Sequence, residues 1–83
     1  MEAYTQKFDV VSRDMEIREI MHSVHDSLIQ KGYNPINQLV GYILSEDPTY
    51  ITNFNNARTL IARIDRDELL RELVTQYLEQ EQA

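Results

Sequence analysis

Apolar residues recur along this chain at spacings of three and four, and the runs are interrupted at a few Gly, Pro and Asn positions. Ile17, Ile20, Met21, Val24 and Leu28 form the first stripe, the pattern of a helix with one buried face. Glu16, Arg18, Glu19, Asp26 and Gln30 fall mostly outside it. Ser12 and Asp14 are both good caps, so the helix is predicted to begin at one of them. Gly32 ends it, placed where a left-handed residue is needed just past a helix. Asn34-Pro35 opens a second helix, with Asn34 capping free amides and Pro35 at the first helical position. Ile36, Leu39, Val40, Ile43 and Leu44 are its expected buried set. Gly41, inside this helix, costs about 1 kcal/mol relative to Ala. It suggests either close approach of another backbone, as across a dimer axis, or a tolerated glycine.

Asp47-Pro48 restarts the chain as a turn or one short helix, and Thr52 to Asn56 reads as a loop ending in an Asn cap. Ala57, Leu60, Ile61 and Ile64 mark a third helix. A fourth starts at Asp65, with Glu68 three residues on in the manner of a capping box. Its stripe is Leu69, Leu70, Leu73, Val74, Tyr77 and Leu78. Residues 1–11 carry Phe8, Val10 and Val11, which favour extended backbone, and show no helical repeat. They are expected to form a flexible tail or a short edge strand, with Phe8 and Val10 able to dock on the body. The predicted fold class is all-α: a small bundle of about four to five helices behind a flexible N-terminal tail over 1–11. One helical domain spans 12–83.

Composition narrows the function classes. At 83 residues the chain holds one domain at most, and it has no cysteine for a disulfide or thiolate metal site. Small scaffolds without such staples often gain core by oligomerising, which favours a homodimer. The net charge of -6 repels phosphate backbones, so nucleic acid is not an expected partner. No run approaches the ~20 apolar residues of a membrane span, and the N-terminus lacks a signal-peptide pattern. Cytoplasmic localisation follows as the expectation.

Catalytic chemistry is not indicated. His22 and His25 lie three apart, with Glu19 and Asp26 nearby. A lone H-x-x-H has no further ligands at motif spacing, however, and Arg18 one turn earlier repels a cation. No metal, cofactor or enzyme activity is expected, and motifs for zinc hydrolases, serine hydrolases and phosphate-cradling loops are missing. The five tyrosines, Tyr4, Tyr33, Tyr42, Tyr50 and Tyr77, suit either the edge of the core or an interface. Arg58, Arg63 and Arg66 form a basic cluster in an acidic chain. They can dock a carboxylate or phosphorylated partner, or simply bridge to neighbouring acidic residues. Thr5, in Tyr4-Thr5-Gln6-Lys7-Phe8, offers a kinase an accessible hydroxyl, as do Ser12, Thr49 and Thr52. A phosphate there adds about -1.5 to -2 charge, which the acidic body repels or the arginines capture.

The central string Gly32-Tyr33-Asn34-Pro35-Ile36-Asn37-Gln38, then Val40-Gly41-Tyr42, Leu44-Ser45 and Asp47-Pro48, resembles the IreB family of regulatory phosphoproteins. The resemblance continues through Asn55-Asn56-Ala57-Arg58, Ile61, Arg66-Asp67-Glu68, Glu72-Leu73-Val74 and Tyr77-Leu78. Thr5-Gln6-Lys7-Phe8 is similar to the family's T-x-x-F element. The resemblance implies a small helical cytoplasmic homodimer of Gram-positive bacteria. It implies Thr5 as phosphoacceptor for a membrane-anchored PASTA-domain Ser/Thr kinase, reversed by a cognate phosphatase. In the unphosphorylated form such proteins restrain peptidoglycan synthesis, in some members through Clp-protease turnover of the enolpyruvyl transferase, and phosphorylation supports tolerance of cell-wall antibiotics. Arg58, Arg63 and Arg66 match basic positions implied in partner docking. The chain departs from the pattern at Glu46, where glycine is usual, and at Thr52-Asn53, where a proline and a basic residue are usual. It also departs at Ala62, in place of a basic residue, and at His25, in place of Tyr. The competing reading is a constitutive helical adaptor with no phospho-switch.

Overall fold

A computed structural model describes the backbone of residues 2–82 and the side chains of residues 13–80. Every element among the described residues is helical: α1 (Glu2–Gln30), α2 (Pro35–Ser45), α3 (Ala57–Ile61) and α4 (Arg66–Gln82). Short 3₁₀ turns at Pro48–Tyr50 and Phe54–Asn56 fill the link between α2 and α3.

The start of α1 differs from the expectation. Helical backbone begins at Glu2, not at Ser12 or Asp14, so the segment expected to be extended is helical. No Gly or Pro lies in 1–14 to stop a helix running back, and strand propensity is a weak preference that context overrides. Tyr4, Phe8, Val11 and Met15 also follow at spacings of four, three and four, a helical repeat. The side chains of Thr5, Phe8, Val10 and Ser12 lie outside the described residues.

The punctuation matches the expectation closely. Gly32 takes φ +83, with the Tyr33 N–H on the Leu28 carbonyl and the Gly32 N–H on the Ile29 carbonyl, each at 3.0 Å. This is the paired closure of a Schellman motif. Asn34 Oδ1 accepts from the Asn37 N–H at 3.1 Å, with Pro35 following as the first helical residue. Asp47 Oδ1 accepts from the Thr49 N–H at 3.0 Å ahead of the Pro48 turn. The expected Asn cap of α3 is not made: Asn55 and Asn56 instead take φ 55 and 60. Asparagine tolerates left-handed backbone, and the chain kinks there.

α1 is the spine. Ile17, Ile20, Val24 and Leu28 are buried as the stripe predicts, joined by Ser27. α3 packs most closely on α1, contributing Ala57 and Ile61, and Ile64, Ile51, Tyr42 and Leu69 complete the core. Two expected faces are corrected. In α2, Tyr42 is buried and Leu39 and Ile43 pack against the core, whereas Ile36, Val40 and Leu44 are exposed. In α4 only Leu69 of the predicted stripe is buried; Leu70, Leu73, Val74, Tyr77 and Leu78 are exposed. Only the root of α4 packs tightly on the body. Farther along, a groove of about 200 Å³ runs between α1 and α4, lined by Ile17, Met21, Leu69 and Leu73 with Arg18, His22, Glu72 and Gln76.

Gly41 has a specific reason, and it is neither a second backbone nor mere tolerance. The Tyr50 ring lies against it, so that an added Cβ would fall 2.5 Å from Tyr50 Cδ1 and 2.9 Å from Cζ. Gln38 Nε2 donates to the Tyr50 carbonyl at 2.8 Å, which fastens the same strap to α2.

Candidate functional site

The three arginines singled out in the sequence are each bound to a different partner. Arg58 Nε donates to the Ile51 carbonyl at 2.9 Å and so holds the loop that enters α3. Arg63, more than half exposed, sits 3.6 Å from Glu16 of α1. Arg66 Nη1 donates to the Ile43 carbonyl at 2.8 Å, and its Nη2 meets Glu46 Oε2 at 2.6 Å. The expected bridge from Arg66 to adjacent acidic residues is thus replaced by one across to the end of α2. No partner is shared between any two of these arginines. Thr5 lies on the helical backbone near the start of α1, remote in sequence from all three.

A two-pronged ionic contact involves a residue the sequence did not single out. Arg13 Nε and Nη2 bind both oxygens of Glu68, at 2.8 and 2.7 Å, and Nη2 also reaches the Arg63 carbonyl at 3.2 Å. Nη1 donates to Glu16 Oε1 at 2.9 Å. One guanidinium therefore ties α1 to the root of α4 and the turn before it. Direct hydrogen bonding by Arg13 holds the Glu68 carboxyl below its ordinary range, and the Asp65 N–H adds to this. Glu68 and Glu16 in turn push the Arg13 pKa higher. The predicted capping box is not made: the Glu68 carboxylate is turned to Arg13 of α1. The Glu68 N–H donates instead to Asp67 Oδ1 at 2.9 Å. Fifty-five positions separate Arg13 from Glu68, so only their placement in space reveals the pair.

Asp47 is also held below its ordinary range, first by the Thr49 hydroxyl and then by the Thr49 amide. The hydroxyl donates to Asp47 Oδ1 at 2.7 Å. His25 Nδ1 stands 3.6 Å from Asp26 Oδ1. Among the described residues no three His, Cys, Asp or Glu side chains come together as a metal site, and no helix is long and apolar enough to cross a membrane.

The surface carries two apolar rows. Ile36, Val40 and Leu44 lie four apart on α2, a helix with no charged residue. Leu70, Leu73, Val74, Tyr77 and Leu78 form a wider row on α4. Rows of this kind on a small chain mark surfaces for protein contact. Among the described residues the surface thus combines exposed apolar rows with ion-paired arginines.

The family described as "IreB regulatory phosphoprotein" matches residues 3–79. A UPF0297 protein of Ruminiclostridium cellulolyticum is 61% identical over 67 residues, covering 81% of this chain and 76% of that protein.

Proposed function

This chain belongs to the IreB family of regulatory phosphoproteins, and from that premise we propose that it is a cytoplasmic substrate of a PASTA-domain Ser/Thr kinase. In this reading Thr5 is the phosphoacceptor, a cognate phosphatase reverses the modification, and the unphosphorylated protein restrains peptidoglycan synthesis. The restraint runs through Clp-dependent turnover of the enolpyruvyl transferase, and its relief supports tolerance of cell-wall antibiotics. The observation that carries the proposal is the family match, which begins ahead of Thr5 and extends almost to the end of α4. The experiment is phosphorylation by the host's PASTA kinase, with the site mapped by mass spectrometry. Labelling at Thr5 is expected. An unmodified Thr5 beside a labelled control substrate removes the switch.

The working form in this proposal is a homodimer, joined through the apolar rows of α2 and α4. Arg58, Arg63 and Arg66 form the partner-binding set, with Arg63 the most accessible of the three. A second reading, a constitutive adaptor without a switch, draws on the fact that all three arginines already have internal partners. Thr5→Ala separates the two: it behaves as wild type in cells if the protein is constitutive, and locks the restraint if it is switched.

A further inference from the structure

Arg66 is held in two ways that differ in kind. Its Nη1 bond to the Ile43 carbonyl, 2.8 Å, fixes the guanidinium plane against the end of α2. Its Nη2 contact with Glu46, 2.6 Å, fills the edge toward solvent with a carboxylate. The two side chains are unequal in exposure, 34% for Arg66 and 68% for Glu46, so the carboxylate can swing away without disturbing the core.

Glu46 is also an unfavourable residue for its backbone. It takes φ 61 at the end of α2, with its N–H on the Tyr42 carbonyl at 3.0 Å. That left-handed cap is met at least cost by glycine. An ion pair this exposed returns little stability. Stability therefore does not account for a glutamate here, whereas occupancy of Arg66 does.

We propose that Glu46 is an autoinhibitory stand-in for a phosphate monoester at Arg66, closing the outer edge of the guanidinium until an external phosphate displaces it. The proposal rests on the reading of Arg66 as a docking residue. Guanidinium groups bind carboxylate and phosphate through the same planar donors. A phosphate monoester carries more charge than one carboxylate, about -1.5 to -2 at neutral pH, and is the stronger competitor. The Ile43 carbonyl keeps the plane in place during the exchange.

The test is a titration of the full chain, followed by NMR at the Arg66 Nε–H and the α4 amides, at constant ionic strength. The probes are inorganic phosphate, a phosphothreonine peptide of residues 1–10 phosphorylated at Thr5, and a scrambled phosphothreonine peptide. Glu46→Gln removes the competing charge and is expected to raise affinity about two- to fivefold, the range that exposed ion pairs support. Glu46→Gly, which suits the left-handed backbone, is expected to do the same, and Arg66→Met added to either is expected to abolish the response. Equal gains for both peptides identify any phosphate monoester as the ligand, and a gain confined to the chain's own sequence identifies its phosphorylated N-terminal segment. Wild type binding at Arg66 as tightly as both Glu46 variants overturns the gate and leaves the docking reading standing. No binding in any form overturns both.

Discussion

Replacing Gly41 with alanine tests the packing of the strap against α2. In an ordinary helix interior the change stabilises by about 1 kcal/mol. Here the new methyl meets the Tyr50 ring well inside van der Waals contact, so the ring must leave. Tyr50 is 39% exposed. Full burial of a large side chain is worth roughly 1.5–3 kcal/mol, so displacing a ring about three-fifths buried costs roughly 1–2 kcal/mol. The net effect is a loss of about 0–1 kcal/mol, too small to be decisive alone. The decisive quantity is the coupling with Tyr50. In a Tyr50→Ala background no ring has to move, and Gly41→Ala is expected to stabilise by about 1 kcal/mol. The double-mutant cycle should therefore return a coupling of about 1–2 kcal/mol. Urea denaturation at one fixed protein concentration measures it, since self-association would make apparent stability depend on concentration. If Gly41→Ala stabilises equally in both backgrounds, the ring contact does not govern that position.

Three further outcomes follow from other contacts. Arg13 lowers the Glu68 pKa on folding, so the pair's contribution is complete above the ordinary carboxylate pKa of about 4.3 and is lost as pH falls through the lower folded value. Glu68→Gln should flatten the acid limb of the stability–pH curve, and superimposable limbs would remove the clamp from the explanation. Arg58→Met leaves the Ile51 carbonyl without its side-chain donor and should cost about 1–3 kcal/mol in denaturation; a change under a few tenths would mean that water replaces the donor. Leu70→Asp with Val74→Asp alters two exposed positions, so the fold should survive by circular dichroism while the proposed dimer dissociates. Light scattering should then fall toward the 9.8 kDa of one chain, and an unchanged dimer mass would place the interface elsewhere.

Local signals were legible in the sequence because their causes are local. Gly32, Asn34-Pro35 and Asp47-Pro48 act through neighbours within five residues, and each does what its chemistry implies. The apolar stripe of α1 was legible for the same reason: it is narrow and has one face to bury. α2 was only half legible. Its apolar positions cover two adjacent rows, and periodicity cannot tell which row meets this chain's core. Gly41 pointed to another backbone or to mere tolerance, whereas the group that lies against it is a side chain nine residues later. Arg13 with Glu68, and Arg66 with Glu46, depend on how the helices are placed, and nothing in their spacing announces them. The early start of α1 left a trace in Tyr4, Phe8, Val11 and Met15, which strand propensity at Phe8, Val10 and Val11 obscured.

The root of α4 is where these contacts converge. Leu69 is buried, Glu68 is held by Arg13, and Arg66 is held by Ile43 and Glu46. Beyond that root the helix continues to Gln82 with five large apolar side chains roughly half exposed. Helices of about this length are marginal alone in water and take most of their stability from packing one face. Burying the remaining halves of those side chains is worth roughly 1 kcal/mol each, or about 10 kcal/mol for a symmetric pair. Association costs an estimated 4–15 kcal/mol, so the α4 row alone stands near break-even. Adding Ile36, Val40 and Leu44 from each copy, at a similar roughly 1 kcal/mol apiece, tips the balance toward pairing. The proposed dimer would then be sensitive to the angle at which α4 leaves the body, and Arg66 ties the first residue of α4 to the end of α2. If phosphate displaces Glu46 and changes the angle, linkage requires a reciprocal effect: with one site on each protomer, saturating phosphate must shift the dimer dissociation constant by the square of the factor by which dimerisation shifts the affinity of each site. Phosphate titrations above and below the dimer dissociation constant measure that factor directly, and equal affinities at the two concentrations would separate the arginine gate from the dimer altogether.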